Sequence, residues 1–344
     1  MAELFEKIGQ MLIVGFQGKS SKDASVKDFA KQVEQGFAGG TILFNYNVES
    51  PEQVKALAQF FKKSAKLPFF ISIDQEGGRV QRLNSGNGFT TYPSAQSIAG
   101  MTESDAADWY HKLASELHTH DINFDFAPCV DVNPPGYKCP VIGDLQRSYS
   151  SDPGKVVKYA GTMIDALKNN KVVNCIKHFP GHGSAQGDSH EGYVDVTENW
   201  DEKELIPFYE LAKQGKIDSV MTAHIYNKNL DPEHPATLSK KTLDKLRHAG
   251  FDGVIITDDL HMGAIQQHYK YEEALINSVL AGCDMVIVSN NKAAAMGVDG
   301  FEPDPNIGEK SVNILVNAVK KGIVPESRID EAYDRIMNLK KSMA

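Results

Sequence analysis

The chain has 344 residues, 41% hydrophobic and 24% charged, a balance that excludes a disordered protein and leaves room for one large domain or two small ones. A formal net charge of -9 and a pI near 5.7 argue against nucleic acid or an anionic membrane surface as the main partner. The four cysteines, Cys129, Cys139, Cys175 and Cys283, have no metal-ribbon spacing and demand no disulfides.

The opening stretch, MAELFEKIGQMLIVGF, carries an acidic residue at position 3 and a short apolar segment broken by Gly15 and Gln17, which fits neither a signal peptide nor a spanning helix. A cytoplasmic protein without a membrane span is expected; secretion or a periplasmic location stays open, because a removed signal leaves no trace. One unit then repeats. An apolar, β-rich run ends in a polar or glycine-containing segment, and a helix-like stretch follows. The runs are MLIVGF at 11–16, GTILF at 40–44, FFISI at 69–73, INFDFA at 122–127, VVNCI at 172–176, SVMTA at 219–223, GVIIT at 253–257 and MVIVS at 285–289. Helices are expected near 25–37, 51–66, 102–119, 152–169, 202–214, 239–249 and 263–281, with two more near 309–321 and 328–342. Ser50 before Pro51, Ser151 or Asp152 before Pro153, and Thr102 before Glu103 are written as helix caps. Near-continuous apolar runs suit parallel strands covered on both sides, and eight strand–helix units are the count for a closed (β/α)8 TIM-type barrel. No proline-rich or low-complexity linker divides the chain, so residues 1–344 are expected to form a single domain.

Polar residues gather where such a barrel would carry a site, at the C-terminal ends of its strands. Asp74 follows FFISI and leads through QEGGRVQR to Arg82; Arg147 lies after INFDFA; Lys177 and His178 follow VVNCI. His224 follows SVMTA, Asp258 and Asp259 follow GVIIT, and Asn290 follows MVIVS. The densest stretch is KHFPGHGSAQGDSH at 177–190, whose glycines and proline exclude a helix and leave an irregular loop able to act as a lid. Its histidines His178, His182 and His190 with Asp188 could also hold a metal, although their spacing is not the helical His-Glu-x-x-His pattern. Taken singly, Asp188 could be no more than an Asx-turn residue, and Arg147 no more than a surface partner of Asp144.

Together these groups suit carbohydrate chemistry. Asp74, Arg82, Arg147, Lys177 and His178 supply fixed donors and acceptors for sugar hydroxyls. Glycoside cleavage needs a carboxylate at the anomeric centre and a second group that protonates the leaving oxygen. Asp258 is the natural nucleophile, with Asp259 anchoring the turn behind it. Asp188, two residues from His190, could orient that imidazole as acid and later base.

The segments IDQEGGRVQR at 73–82, FAP at 126–128, RSYS at 147–150, KHFPGHG with DSH at 177–190, MTAH at 221–224 and ITDDLHMGAI at 256–265 resemble the bacterial β-N-acetylglucosaminidases of glycoside hydrolase family 3. The resemblance implies a retaining hydrolase of cell-wall turnover that releases terminal N-acetylglucosamine from a saccharide or muropeptide. It assigns Asp258 as nucleophile, Asp188 and His190 as the acid/base pair, and Asp74, Arg82, Arg147, Lys177, His178 and His224 as sugar-binding positions. No metal or organic cofactor is required, and a monomer is expected. Two segments depart from the family pattern: EGY after His190, and NPPGYKCPVIG at 133–143. A phosphorylase acting on the same sugar and a non-catalytic sugar-binding barrel remain as rivals.

Overall fold

The computed structural model describes residues 3–136, 139–296 and 298–343; Tyr137 and Lys138 of the NPPGYKCPVIG segment lie outside the described residues. Eight parallel strands form the core: β1 Leu12–Gly15, β2 Gly40–Leu43, β3 Phe70–Ile73, β4 Phe124–Asp125, β5 Val173–Phe179, β6 Ser219–Thr222, β7 Val254–Ile256 and β8 Val286–Val288. Each pairs with its sequence neighbours, and β8 returns to β1 with Leu12 opposite Val286. Between β7 and β8 the ring is closed by the parallel bridge Ile256–Met285, where Met285 N–H donates to the Ile255 carbonyl at 3.0 Å. The result is the expected (β/α)8 barrel.

All eight runs become strands because their side chains have somewhere apolar to go on both faces. Residues of β1, β2, β3 and β5 are buried throughout. Small hydroxyls inside the ring satisfy themselves on the next strand: Thr41 donates to the Val14 carbonyl at 2.7 Å and Ser72 to the Thr41 carbonyl at 2.7 Å. Helices cover the outside, among them α1 Ala24–Gln35, α2 Pro51–Ser64, α3 Glu103–Thr119, α4 Pro153–Asn169 and, at the end of the chain, α5 Ile307–Lys320 and α6 Glu326–Ser342. The caps form as written: Ser50 accepts from Gln53 N–H, Thr102 from Asp105 N–H, and Asp152, rather than Ser151, from Gly154 N–H. Among the described residues no helix is long and apolar enough to cross a membrane.

The differences from expectation cluster around the polar ends. β5 does not stop at Ile176 but runs on through Phe179, so Lys177 and His178 are strand residues, not loop residues. After β3, Gln75–Gly77 and Val80–Gln81 pair as an antiparallel hairpin. The single helix expected over 263–281 is split into Gly263–Gln266 and Tyr271–Ala281. A short helix, Leu4–Gln10, stands before β1, where the sequence suggested only an apolar segment.

Candidate active site

At the C-terminal mouth of the barrel, the segments after β3 and β4 and the end of β5 bring five charges into contact. Lys177 Nζ lies 2.8 Å from Asp74 Oδ1 and 2.7 Å from Glu76 Oε1, although 103 residues separate Lys177 from Asp74. Arg147 grips the same Glu76 with two parallel bonds, Nη2 to Oε1 at 2.7 Å and Nε to Oε2 at 2.9 Å. Arg82 Nη2 donates to the other oxygen of Asp74 at 3.0 Å, while its Nε is buried without a partner. Arg147 is therefore not paired with Asp144 at the surface; it is nearly buried. Burial alone would push both carboxyls up, but Lys177 and Arg82 hold Asp74, and Arg147 and Lys177 hold Glu76, well below the usual range. The lattice is thus fully ionised at neutral pH.

Valences remain open in it. An ammonium has three N–H donors, and Lys177 uses two on carboxylates; each Asp74 oxygen accepts one bond and has room for another. Asp131, fully buried, sets the next layer. Its Oδ2 accepts from His178 Nδ1–H at 2.7 Å, and its Oδ1 accepts from the backbone N–H of His178 at 3.2 Å and of His182 at 2.8 Å. That bond fixes the tautomer, leaving His178 Nε2 toward Arg147 Nη2 at 3.4 Å.

Asp258 stands just beyond β7. Its Oδ1 accepts from Asp259 N–H at 2.8 Å, and among the described residues Oδ2 has no hydrogen-bond partner. Desolvation would raise its pKa, but the fields of His224, His178 and His190 keep it below the ordinary carboxylate value. Asp259 turns the other way, and its Oδ1 accepts from Ser289 N–H at 2.8 Å and His261 N–H at 3.2 Å, tying the turn to β8. His224 has both ring nitrogens engaged, Nε2 on the Asp259 carbonyl at 2.9 Å and Nδ1 on Thr237 Oγ1 at 2.8 Å, so it braces this turn.

The 180–190 loop delivers the proton-transfer group. His190 Nδ1–H and its backbone N–H both reach Asp188 Oδ1, at 2.7 and 2.8 Å, an Asx-type turn that also orients the ring. Nε2 is left free. Burial would lower the imidazole's pKa, but the Asp188 hydrogen bond and the charge of Asp258 raise it above 6.5. The loop folds over the site: Gly263 N–H donates to the His190 carbonyl at 3.2 Å and Ala264 N–H to the Ser189 carbonyl at 3.1 Å. His190 also lines a cavity of about 260 Å³ with Phe44, Tyr46, Arg82 and Asn291. At the base of the loop Glu204 accepts from Gly183 N–H at 2.9 Å, and burial pushes its carboxyl up to about 7.

The metal reading takes a different form from the one expected. Ligand atoms that lie within 4.8 Å of one another belong to Cys129, Asp131 and His178. They are already spent on each other: Cys129 Sγ lies 3.3 Å from the same Asp131 Oδ2 that holds the His178 proton, with the Arg147 guanidinium alongside. Burial pushes the Cys129 thiol up and keeps it protonated, and the Arg147 cation 3.4 Å from His178 opposes a second positive charge, so the three residues work as a hydrogen-bonded set.

The family model described as "Glycosyl hydrolase family 3 N terminal domain" matches residues 3–339. The chain belongs to glycoside hydrolase family 3. Among its family 3 relatives is a β-hexosaminidase of Tolumonas auensis, 36% identical over 310 residues, which are 87% of this chain and 90% of that protein. The β-hexosaminidase LpqI of Mycobacterium tuberculosis is 32% identical over 346 residues, 97% of this chain and 82% of the relative. In structure, the chain superimposes on a family 3 β-N-acetylglucosaminidase of Paenibacillus sp. with a TM-score of 0.87 at 34% identity; all of this chain is covered, and 63% of the Paenibacillus chain. It is an enzyme of the family 3 β-hexosaminidase group. Glu76 and Asp131 are the site residues that sequence reasoning passed over. Glu76 lay within the quoted IDQEGGRVQR, two positions from Asp74, the spacing that puts extended residues on one face.

Proposed function

We propose that this enzyme is a retaining exo-β-N-acetylglucosaminidase that removes terminal N-acetylglucosamine from cell-wall-derived glycans or muropeptides. The observation that carries the reading is the pairing of an ionised Asp258 with one oxygen free and a His190 whose Nδ1 is held by Asp188 while Nε2 is free. Asp258 Oδ2 attacks the anomeric carbon as the bond to the leaving oxygen breaks and His190 Nε2–H protonates that oxygen. His190 then takes a proton from water, which attacks the same carbon and releases Asp258. Asp74 accepts from sugar hydroxyls while the third donor of Lys177 and the free edge of Arg82 give to them. Arg147 and Glu76 hold Lys177 in place, and His178 and His224 keep the walls of the pocket fixed. Each hydrogen bond from this lattice can strengthen as charge develops at the ring, which is what accelerates the chemical step.

The test is a slow fluoroglycoside of N-acetylglucosamine, followed by peptide mapping. The expected label is on Asp258; a label on Asp259, or none with activity intact, sinks the assignment. In parallel, turnover with inorganic phosphate should give free sugar and no sugar 1-phosphate, the product that a phosphorylase would make.

A further inference from the structure

The buried lattice of Asp74, Glu76 and Lys177 closes the bottom of the pocket, so the departing half of the substrate must leave outward, past His190. Just beyond His190 the chain changes character. Tyr193, three positions on, is half exposed, and it is among the few large apolar side chains that the described residues leave so open. Three residues of chain span at most about 10 Å, so Tyr193 stays within reach of a sugar whose linking oxygen lies at the imidazole.

Tyr193 is not a loose side chain. Val194 and Val196 point inward and are buried, while Glu191, Tyr193 and Asp195 alternate outward. The segment is pinned to the turn after β6, with Tyr226 N–H donating to the Val194 carbonyl at 2.8 Å and Val196 N–H to the Tyr226 carbonyl at 2.9 Å. The Tyr193 ring rests on two others, Tyr226 at 5.4 Å between centroids and His268 at 5.2 Å. His268 lies in the turn that follows the short helix Gly263–Gln266, ten residues after Asp258, and Gln267 of that turn donates to the Glu191 carbonyl at 2.7 Å. The contact with Tyr226 is tilted by 40° and that with His268 is edge-on, so the ring is held from two sides while half of its surface stays exposed. Pyranose rings present an apolar face of C–H bonds and a rim of hydroxyls, and a rigid, half-exposed aromatic ring is the side chain that covers such a face at small entropic cost. Asp195, beside the ring and exposed, adds an acceptor for the hydroxyl rim.

We infer that Tyr193, braced by Tyr226 and His268, is a stacking platform for the leaving saccharide and sets the enzyme's preference for a pyranosyl leaving group over a small alcohol. This rests on the proposed glycosidase reading and gives the EGY segment after His190 a purpose. The experiment compares N,N′-diacetylchitobiose with the methyl β-glycoside of N-acetylglucosamine on wild type, Tyr193→Ala and Tyr193→Phe. Tyr193→Ala should lose about three- to ten-fold in kcat/KM on the disaccharide, mainly through KM, and keep its rate on the methyl glycoside. Tyr193→Phe should restore the disaccharide rate. An equal loss on both substrates would mean that Tyr193 only supports the loop, and no loss on either would remove it from substrate contact; both outcomes overturn the platform while the glycosidase stands. A wild-type enzyme that cleaves neither substrate overturns the glycosidase reading and the platform with it.

Discussion

The two ends of the barrel use the same chemistry to opposite purpose. At the N-terminal end Asp284 is fully buried and receives three guanidiniums: Arg247 at 2.6 Å, Arg335 at 3.2 Å and Arg328. What the arginines have left over goes to backbone carbonyls, Arg247 to those of Phe251 and Gly253 and Arg328 to those of Val279 and Cys283, and to two exposed carboxylates, Arg335 to Asp252 and Arg328 to Glu331. At the C-terminal end Asp74, Glu76, Lys177 and Arg147 are as closely packed, yet an ammonium proton, carboxylate lone pairs, Asp258 Oδ2 and His190 Nε2 stay uncommitted. A cavity of about 600 Å³ adjoins the arginine cluster, larger than the one of about 260 Å³ beside His190. Space therefore does not distinguish the two regions. Unspent hydrogen-bonding capacity does, because only groups with valences to spare can bind a substrate or take part in its reaction.

The sharpest break of that comparison is Asp258→Asn. It keeps the shape and removes the free anionic oxygen, so kcat/KM should fall on the order of 10⁴-fold or more while the melting temperature stays close to wild type. A residual rate within tenfold of wild type would place the nucleophile elsewhere. Next comes His190→Ala, expected to lose about 10²- to 10⁴-fold on a disaccharide and far less on an aryl glycoside, whose leaving group needs little protonation. Azide should rescue that variant at the second step and yield the β-azide, detectable by mass spectrometry.

Glu76→Ala and Asp284→Ala set the two ends directly against each other. Each strands buried cations, so each should cost about 3–5 kcal/mol of stability in denaturant unfolding. Their activities should part: Glu76→Ala loses kcat/KM because Arg147 and Lys177 lose their common anchor, while folded Asp284→Ala keeps it. Equal activity losses would mean that the N-terminal cluster communicates with the site.

The smallest effect is in the pH profile. The donor step needs Asp258 ionised and His190 protonated. With the first lowered from its ordinary 3.8 and the second raised from its ordinary 6.5, the plateau of kcat/KM should reach further into acid than a free carboxylate allows and further into alkali than a free imidazole allows, with a decline beyond each limb. Asp188→Asn removes the hydrogen bond to a carboxylate that supports the imidazolium, so the alkaline limb should move down in pH with little change in the acid limb. An unmoved alkaline limb would detach Asp188 from the titration of His190.

How much of this was legible in the residues depends on how local each feature is. The eight strands could be read because a doubly covered strand needs an apolar run whatever its neighbours are, and the helix caps because a cap is satisfied within three residues. The Asp188–His190 contact was legible for the same reason, being two positions apart. The single helix expected over 263–281 is interrupted at 267–270, where the Gln267 side chain donates to the Glu191 carbonyl and the His268 ring packs on Tyr193, partners more than 70 residues away that no periodicity reports.

The sequence by itself determined the barrel, the strand ends on which polar groups would surface, and the nucleophile and proton-transfer candidates. Only the tertiary structure decided which ion meets which. Lys177 reaches Asp74 across 103 residues and Arg147 reaches Glu76 across 71, contacts created by the ring closing on itself. Burial then turned Arg147 from a possible surface partner of Asp144 into half of an enclosed pair, and made Asp131 the anchor of two histidine backbones. The reason is electrostatic: a charged side chain looks the same in any sequence, and its pKa, its partner and its spare valences are fixed only when the dielectric around it and the groups within about 4 Å are known.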